Sequence, residues 1–192
     1  GSPFKLIVTF AIPMILGNLF QQLYNFFDTM IVGHFLGVEA LAGVGATGSI
    51  NFLIIGFCMG ICSGFSIPVS QQFGARNYKM LRKYVANSVY LFIIMSAVIT
   101  ITVSLLCRSI LNIMQTPADI YDYSYTYILT IFIGIPITFA YNMLAGFIRS
   151  VGDSKTPLIF LVIATVINVI LDIIFIAVLH LGVFGAALAT IL

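Results

Sequence analysis

The sequence predicts an all-α fold, a polytopic transmembrane helix bundle with five full helices and the start of a sixth. Three observations carry that expectation. Hydrophobic residues make up 61% of the chain and charged residues 7%, against roughly 25% charged in soluble domains. So few charges do not cover a water-facing surface. Six apolar segments follow one another, and five of them reach the ~20 residues that cross a bilayer. None shows sustained polar/apolar alternation, and those five far exceed the ~10 residues of a barrel strand. The same composition excludes a soluble enzyme, a disordered chain, a disulfide-stapled secreted domain and a collagen-like fibre.

The first segment runs from about Phe10 to Leu36, with Pro13 expected near its start. The second, about Leu41 to Phe73, is long enough to tilt or project from the bilayer. Gly56, Gly60 and Gly64 recur on it every four residues, a spacing expected to let another helix backbone approach closely. The third covers about Val85 to Cys107 and the fourth about Tyr123 to Ile148. Pro68 and Pro136 are interior, and each is expected to kink its helix or free a carbonyl. The fifth covers about Pro157 to Leu179, with Pro157 suited to its first turn, where a missing N–H costs nothing. The sixth begins near Val183 and reaches only Leu192. The expected organisation is therefore a tag remnant at residues 1–2 and an N-terminal transmembrane lobe over residues 3–192, truncated in its sixth helix. Cys58, Cys62 and Cys107 sit in apolar runs without metal-ligand spacing and read as small packing residues. Tyr121, Tyr123, Tyr125 and Tyr127 read as an interfacial aromatic belt. His34 and His180 fall at outer helix ends and are expected to be solvated.

Charge placement gives an orientation. Lys5, Arg76, Lys79, Arg82, Lys83, Arg149 and Lys155 fall in segments that must share one side, and only Arg108 falls on the other. The positive-inside rule then predicts a multi-pass protein of the plasma (cell inner) membrane with a cytoplasmic N-terminus. The net charge of +2 points to no nucleic-acid partner. Membrane lipid is the partner the composition requires.

Two acidic residues, Asp28 and Asp172, lie inside spans, where an ionisable group costs ~2.5–3.5 kcal/mol on insertion scales. Asn18, Gln21, Gln22, Asn25 and Thr29 share an arc of about 120° with Asp28. That stripe is expected to face a water-filled cavity or another polar helix. On the fifth segment Thr165, Asn168 and Asp172 share an arc of about 60°. Asn168 and Asp172 are one turn apart, so both can present oxygens to one point. A carboxylate beside an amide carbonyl suits a hard cation such as sodium, by analogy with other hard cations. Alternatively, desolvation fits a carboxylate to carry a proton. A third reading makes these groups glue between helices. Tyr141 and Asn142 are placed to line a cavity, with packing as the plainer alternative.

No enzyme signature emerges, and no catalytic residue is assigned. An intramembrane aspartyl protease would need two membrane carboxylates and a Gly-x-Gly-Asp element. The nearest match, Ser150-Val151-Gly152-Asp153, lacks the first glycine and lies in a basic loop.

Several stretches together resemble the N-terminal half of a multidrug and toxic compound extrusion (MATE) transporter. They are Pro13-Met14-Ile15 with Phe27-Asp28-Thr29 and Gly33; Gln71-Gln72-Phe73-Gly74-Ala75; Arg149 through Pro157; Asn168-Val169-Ile170-Leu171-Asp172; and Gly185 through Thr190. The resemblance covers essentially all of the chain after residue 2. It implies one half of a twelve-helix, two-lobe transporter, with a C-terminal lobe as its missing partner. It implies a cation-coupled antiporter, driven by protons or sodium, that exports organic, often cationic, drugs and toxic compounds by alternating access. It also implies a cation or proton site at Asp28, Asn168, Asp172 and Thr190, the last from the resemblance alone. No cofactor is implied beyond a sodium ion or proton as coupling ion, with small organic substrates as cargo. The alternatives are a lipid or polysaccharide-precursor flippase of similar fold and a non-transporting membrane helix-bundle fragment.

Overall fold

The computed structural model describes residues 3–192, which are mostly helical with no strand among them. Gly1 and Ser2, read above as a tag remnant, lie outside the described residues. The elements are α1 (Pro3–Leu36), α2 (Val38–Ala46), α3 (Gly48–Gly74), α4 (Tyr78–Ile113), α5 (Tyr121–Ile133), α6 (Ile135–Ser150), α7 (Lys155–Asp172) and α8 (Gly182–Ile191). Between α7 and α8 the backbone widens into a π-helix over Ile173–Val178. α1, α3, α4 and α7 with its π-helix are each long and apolar enough to cross a membrane. The α5–α6 pair passes the same test only when taken together and is bent by 49°, which gives four spans, or five when the pair counts as one. α8 is a shorter apolar helix of 10 residues, and the architecture is the expected all-α bundle.

Two segments read as continuous are broken, each for a visible reason. Ahead of the second segment, Gly37 holds φ 86°, a conformation open to glycine, and separates α1 from α2. The chain breaks again at Thr47, whose hydroxyl donates to the Val44 carbonyl at 2.7 Å. The fourth segment breaks at Gly134. A Cβ there would collide with the Ile191 side chain of α8. Pro136 then sits in the first turn of α6, where its ring and missing N–H end α5 rather than bend one helix.

Two other punctuation readings need correction. Pro13 is not at a helix start but inside α1, because the helix begins ten residues earlier, ahead of the apolar run. Pro68 is interior as expected, yet α3 continues through it as one helix. Gly56, Gly60 and Gly64 do not receive a neighbouring backbone. They are exposed, and an added Cβ would meet nothing within 4 Å. A four-residue spacing fixes a helix face but not what lies against it. The close approaches occur elsewhere. At Gly43 a Cβ would stand 2.6 Å from the Tyr123 Cβ, and at Gly146 it would strike the Ser66 hydroxyl.

Two groups of buried side chains hold the bundle. The first joins α3, α4, α5 and α6 through Ile54, Cys58, Cys62, Cys107, Leu111, Ile128, Phe132, Ile135, Phe139 and Met143. The three cysteines are buried and unpaired, as the packing reading required. The second joins α1, α2, α5, the π-helix and α8 through Val32, Ala40, Tyr127, Ile131, Ile176, Val183, Ala186 and Ala187. α7 lies along α1 at the edge of this second group. His34 and His180 are both exposed.

Candidate cation site

α7 starts from a capped N-terminus. Asp153 Oδ1 accepts from the backbone N–H of Lys155 and of Thr156, each at 3.0 Å. Pro157, the next residue, has no N–H to satisfy. The Thr156 hydroxyl donates to the other Asp153 oxygen, and these bonds hold the Asp153 carboxyl below the usual carboxylate range. The Ser-Val-Gly-Asp stretch is thus a helix cap, not half of a protease dyad.

From that anchored start α7 carries Thr165, Asn168 and Asp172 inward, all three buried. The Thr165 hydroxyl donates to its own helix at Leu161, 2.8 Å away. Asn168 and Asp172 behave differently. Both amide atoms of Asn168 and both carboxylate oxygens of Asp172 are buried without any hydrogen-bond partner. Asp28 on α1, 6% exposed, adds one more unpartnered oxygen. α1 and α7, which carry the two carboxylates, pack against each other. Buried polar atoms almost always find partners, and leaving one unpaired costs about 1–3 kcal/mol, more for a charge. Five such atoms lie on two packed helices.

The backbone beside Asp172 is unusual as well. Asp172 is the last residue before the π-helix. Short π-segments inside α-helices are rare and concentrate at functional sites. Nothing in the sequence predicted it, because Ile173 to Val178 is an ordinary apolar run.

α8 and α5 close the cluster. The Thr190 hydroxyl donates to Ala186 at 3.0 Å and keeps its acceptor lone pairs. The Tyr24 hydroxyl on α1 donates to the Thr190 carbonyl at 3.5 Å. Tyr127, 6% exposed on α5, lies within electrostatic reach of Tyr24, Asp28 and Asp172. The sequence reading missed both tyrosines as members of this cluster. Tyr24 stands one turn before Asp28, a spacing that could have revealed it. Tyr127 was grouped with the aromatic belt, although it lies deepest along α5 of the four.

The other predicted residues fall outside the cluster. Asn18, Gln21, Gln22 and Asn25 are exposed along α1, which leaves a polar face open beside Asp28. Tyr141 and Asn142 are on α6, apart from the elements that carry the aspartates. The Asn142 side chain donates to Thr138 in its own helix at 2.8 Å.

Comparison with known proteins gives the chain its relatives. The MatE family model matches residues 13–174. A probable multidrug resistance protein of Bacillus subtilis, YpnP, is 33% identical over the whole chain, which spans 43% of that relative. A second from the same organism, YoeA, is also 33% identical, with 42% of its length covered. Among solved structures, a MATE transporter in a bent conformation superposes with a TM-score of 0.91 at 32% identity, all of this chain matching 42% of that one. A MOP superfamily transporter from Pyrococcus furiosus superposes with a TM-score of 0.92 at 32% identity over the same shares.

Proposed function

The chain belongs to the MATE family of membrane transporters, whose members are not enzymes, and from that premise we propose that it forms the ion-binding lobe of a cation-coupled antiporter. The chain spans less than half the length of the relatives named above. The transport activity therefore belongs to an assembly with a C-terminal lobe, which lines the other side of a central cleft. Organic, often cationic, compounds are the cargo, and the exposed polar face of α1 supplies this lobe's wall of the cleft. The basic end of the bundle faces the cytoplasm across the plasma membrane.

The observation that carries the proposal is the convergence of five buried, unpartnered polar atoms from Asp28, Asn168 and Asp172. A bare carboxylate pair is costly in a membrane, and a bound cation or proton relieves that cost. Four of the five are oxygens, which suits sodium. A proton also suits them, since a protonated carboxyl becomes a donor to its neighbour. Thr190 and Tyr127 stand at the margin and orient the cluster. Loading it removes charge repulsion between α1 and α7. An ion drives a conformational switch only if it binds the two states with different affinity, and carboxylates reachable from one side at a time meet that condition.

The test is the thermal stability of the purified chain in detergent against sodium concentration and pH, beside Asp172→Asn. A ligand of the folded state adds about 2.7 kcal/mol at a hundred times its dissociation constant. Sodium-specific stabilisation lost in the variant assigns sodium. A pH response lost in the variant, without a sodium effect, assigns the proton. Responses identical in both proteins overturn the site. In the full-length transporter, Asp28→Asn and Asp172→Asn each abolish ion-driven export, and normal pumping by both would end the proposal.

A further inference from the structure

α4 is 36 residues long, about 54 Å of helix, whereas the hydrocarbon core is ~30 Å thick. Its first two turns, Tyr78 to Tyr84, precede the apolar run and carry Lys79, Arg82 and Lys83. These occupy positions i, i+3 and i+4, which is a single helix face. All three are exposed, while Met80 and Leu81 on the other side are half-buried. Arg76 stands just ahead, also exposed, with φ 55°. That left-handed conformation closes α3 and ordinarily selects glycine.

Four cations gathered at the positive end of a helix dipole repel it and one another. The chain supplies no countercharge. No Asp or Glu occurs between Glu39 and Asp119. At this end of the bundle the acidic residue is Asp153, which is engaged in capping α7. The contrast with α7 is direct, because α7 carries a carboxylate at its N-terminus and α4 has none in its first turn. The lone basic residue of the opposite end, Arg108, is placed over the Tyr125 ring at 5.2 Å. Aromatic side chains also flank the basic turn: Tyr78 is 54% and Phe73 37% exposed, packed edge to face. Exposed aromatics of that kind sit at the level of lipid headgroups.

We propose that Arg76, Lys79, Arg82 and Lys83 form a binding site for the phosphate headgroup of an anionic membrane lipid, which supplies the countercharge that α4 lacks. Polybasic turns next to a membrane span gain about fivefold in affinity per cation near an anionic surface. The inference needs only that the chain spans a membrane, so it stands or falls separately from ion coupling.

The experiment measures retention of fluorescent phosphatidylglycerol and phosphatidylcholine by the purified chain in bilayer discs, which expose both ends. The wild-type chain prefers phosphatidylglycerol by at least about tenfold. R76Q/K79Q/R82Q/K83Q brings the preference to near unity, and Arg108→Gln leaves it unchanged. Should the fourfold variant fail to fold, salt on the wild-type chain gives the answer. Raising it to 0.5 M collapses a preference made by exposed cations, since screening shortens the reach of charge to a few ångströms. A preference that survives the variant or the salt, no preference at all, or full competition by millimolar inorganic phosphate overturns the proposal.

Discussion

The two buried groups of this bundle are built from similar apolar side chains and differ in how they treat polar atoms. Along the seam between α3 and α6, the Cys62 thiol donates to the Phe139 carbonyl at 3.6 Å and the Ser66 hydroxyl to Cys62 at 2.9 Å. The Ser150 hydroxyl reaches Ser66 at 3.0 Å. Asn51, Thr100 and Ser104 each leave one atom unpartnered on α3 and α4, but these are neutral groups. Between α1 and α7 the unpartnered atoms include three carboxylate oxygens. One region has been tuned to be stable, and the other keeps a liability in its centre. Natural proteins carry such a conflict where function needs it.

The largest expected effect tests the stable region. Phe139 is fully buried and meets Phe92 edge to face at 5.2 Å. Phe139→Ala should cost about 3–5 kcal/mol, read as a lowered unfolding midpoint of the chain in detergent, with sodium and pH responses intact. Loss of those responses at constant stability would mean that the two regions are not separable. Gly43→Val should follow at about 1–3 kcal/mol, because the Tyr123 Cβ and the backbone of Ser124 leave it no room. Gly56→Ala, on the open face of α3, should instead be neutral or stabilise by up to about 1 kcal/mol through helix propensity. Equal losses at both glycines would contradict the packing described for α3.

Much of this division was legible in the residues, and the rest was not for physical reasons. Asp28 and Asp172 stand out because charge in an apolar run is costly, and Asn168 stands one turn from Asp172. The cysteines of the α3 face were equally readable, since small apolar side chains among larger ones pack. What escaped was whatever depends on a neighbour distant in sequence. Gly134 is a break because Ile191 fills the space opposite it, and no local signal carries that. The glycines of α3 look like a docking stripe and face outward, since spacing names a face and not its occupant. Tyr127 reads as an interface anchor until α1 and α7 are seen beside it.

The polar region inverts the usual response to mutation. Asp172→Asn removes a buried charge that has no partner, and a neutral amide is cheaper to bury. In sodium-free buffer at alkaline pH, where the wild-type carboxyl is ionised, the variant should be more stable than wild type, by about 1 kcal/mol or more, while its ion response disappears. A destabilised variant under those conditions would make Asp172 a structural residue, and the contrast between the two regions would fail.

The smallest effect belongs to Asp153, which ties the basic loop to the start of α7. Its carboxyl is held below the usual range, first by the Thr156 hydroxyl and then by backbone N–H groups. A carboxylate with a depressed folded-state pKa stabilises the fold above its unfolded pKa. That contribution fades as pH drops through the depressed value, so the loss begins below about pH 4. Asp153→Asn lacks the titrating group, and its unfolding midpoint should fall less steeply than wild type between pH 5 and pH 3 (about two units spanning that threshold). The aspartates of the site titrate in both proteins, so the difference between the two curves isolates the cap. Because the cap sets where α7 begins, the variant should also loosen ion binding slightly while leaving its selectivity unchanged. A change of selectivity would place Asp153 in the ion path itself, which its bonds to Lys155 and Thr156 at the start of α7 do not support.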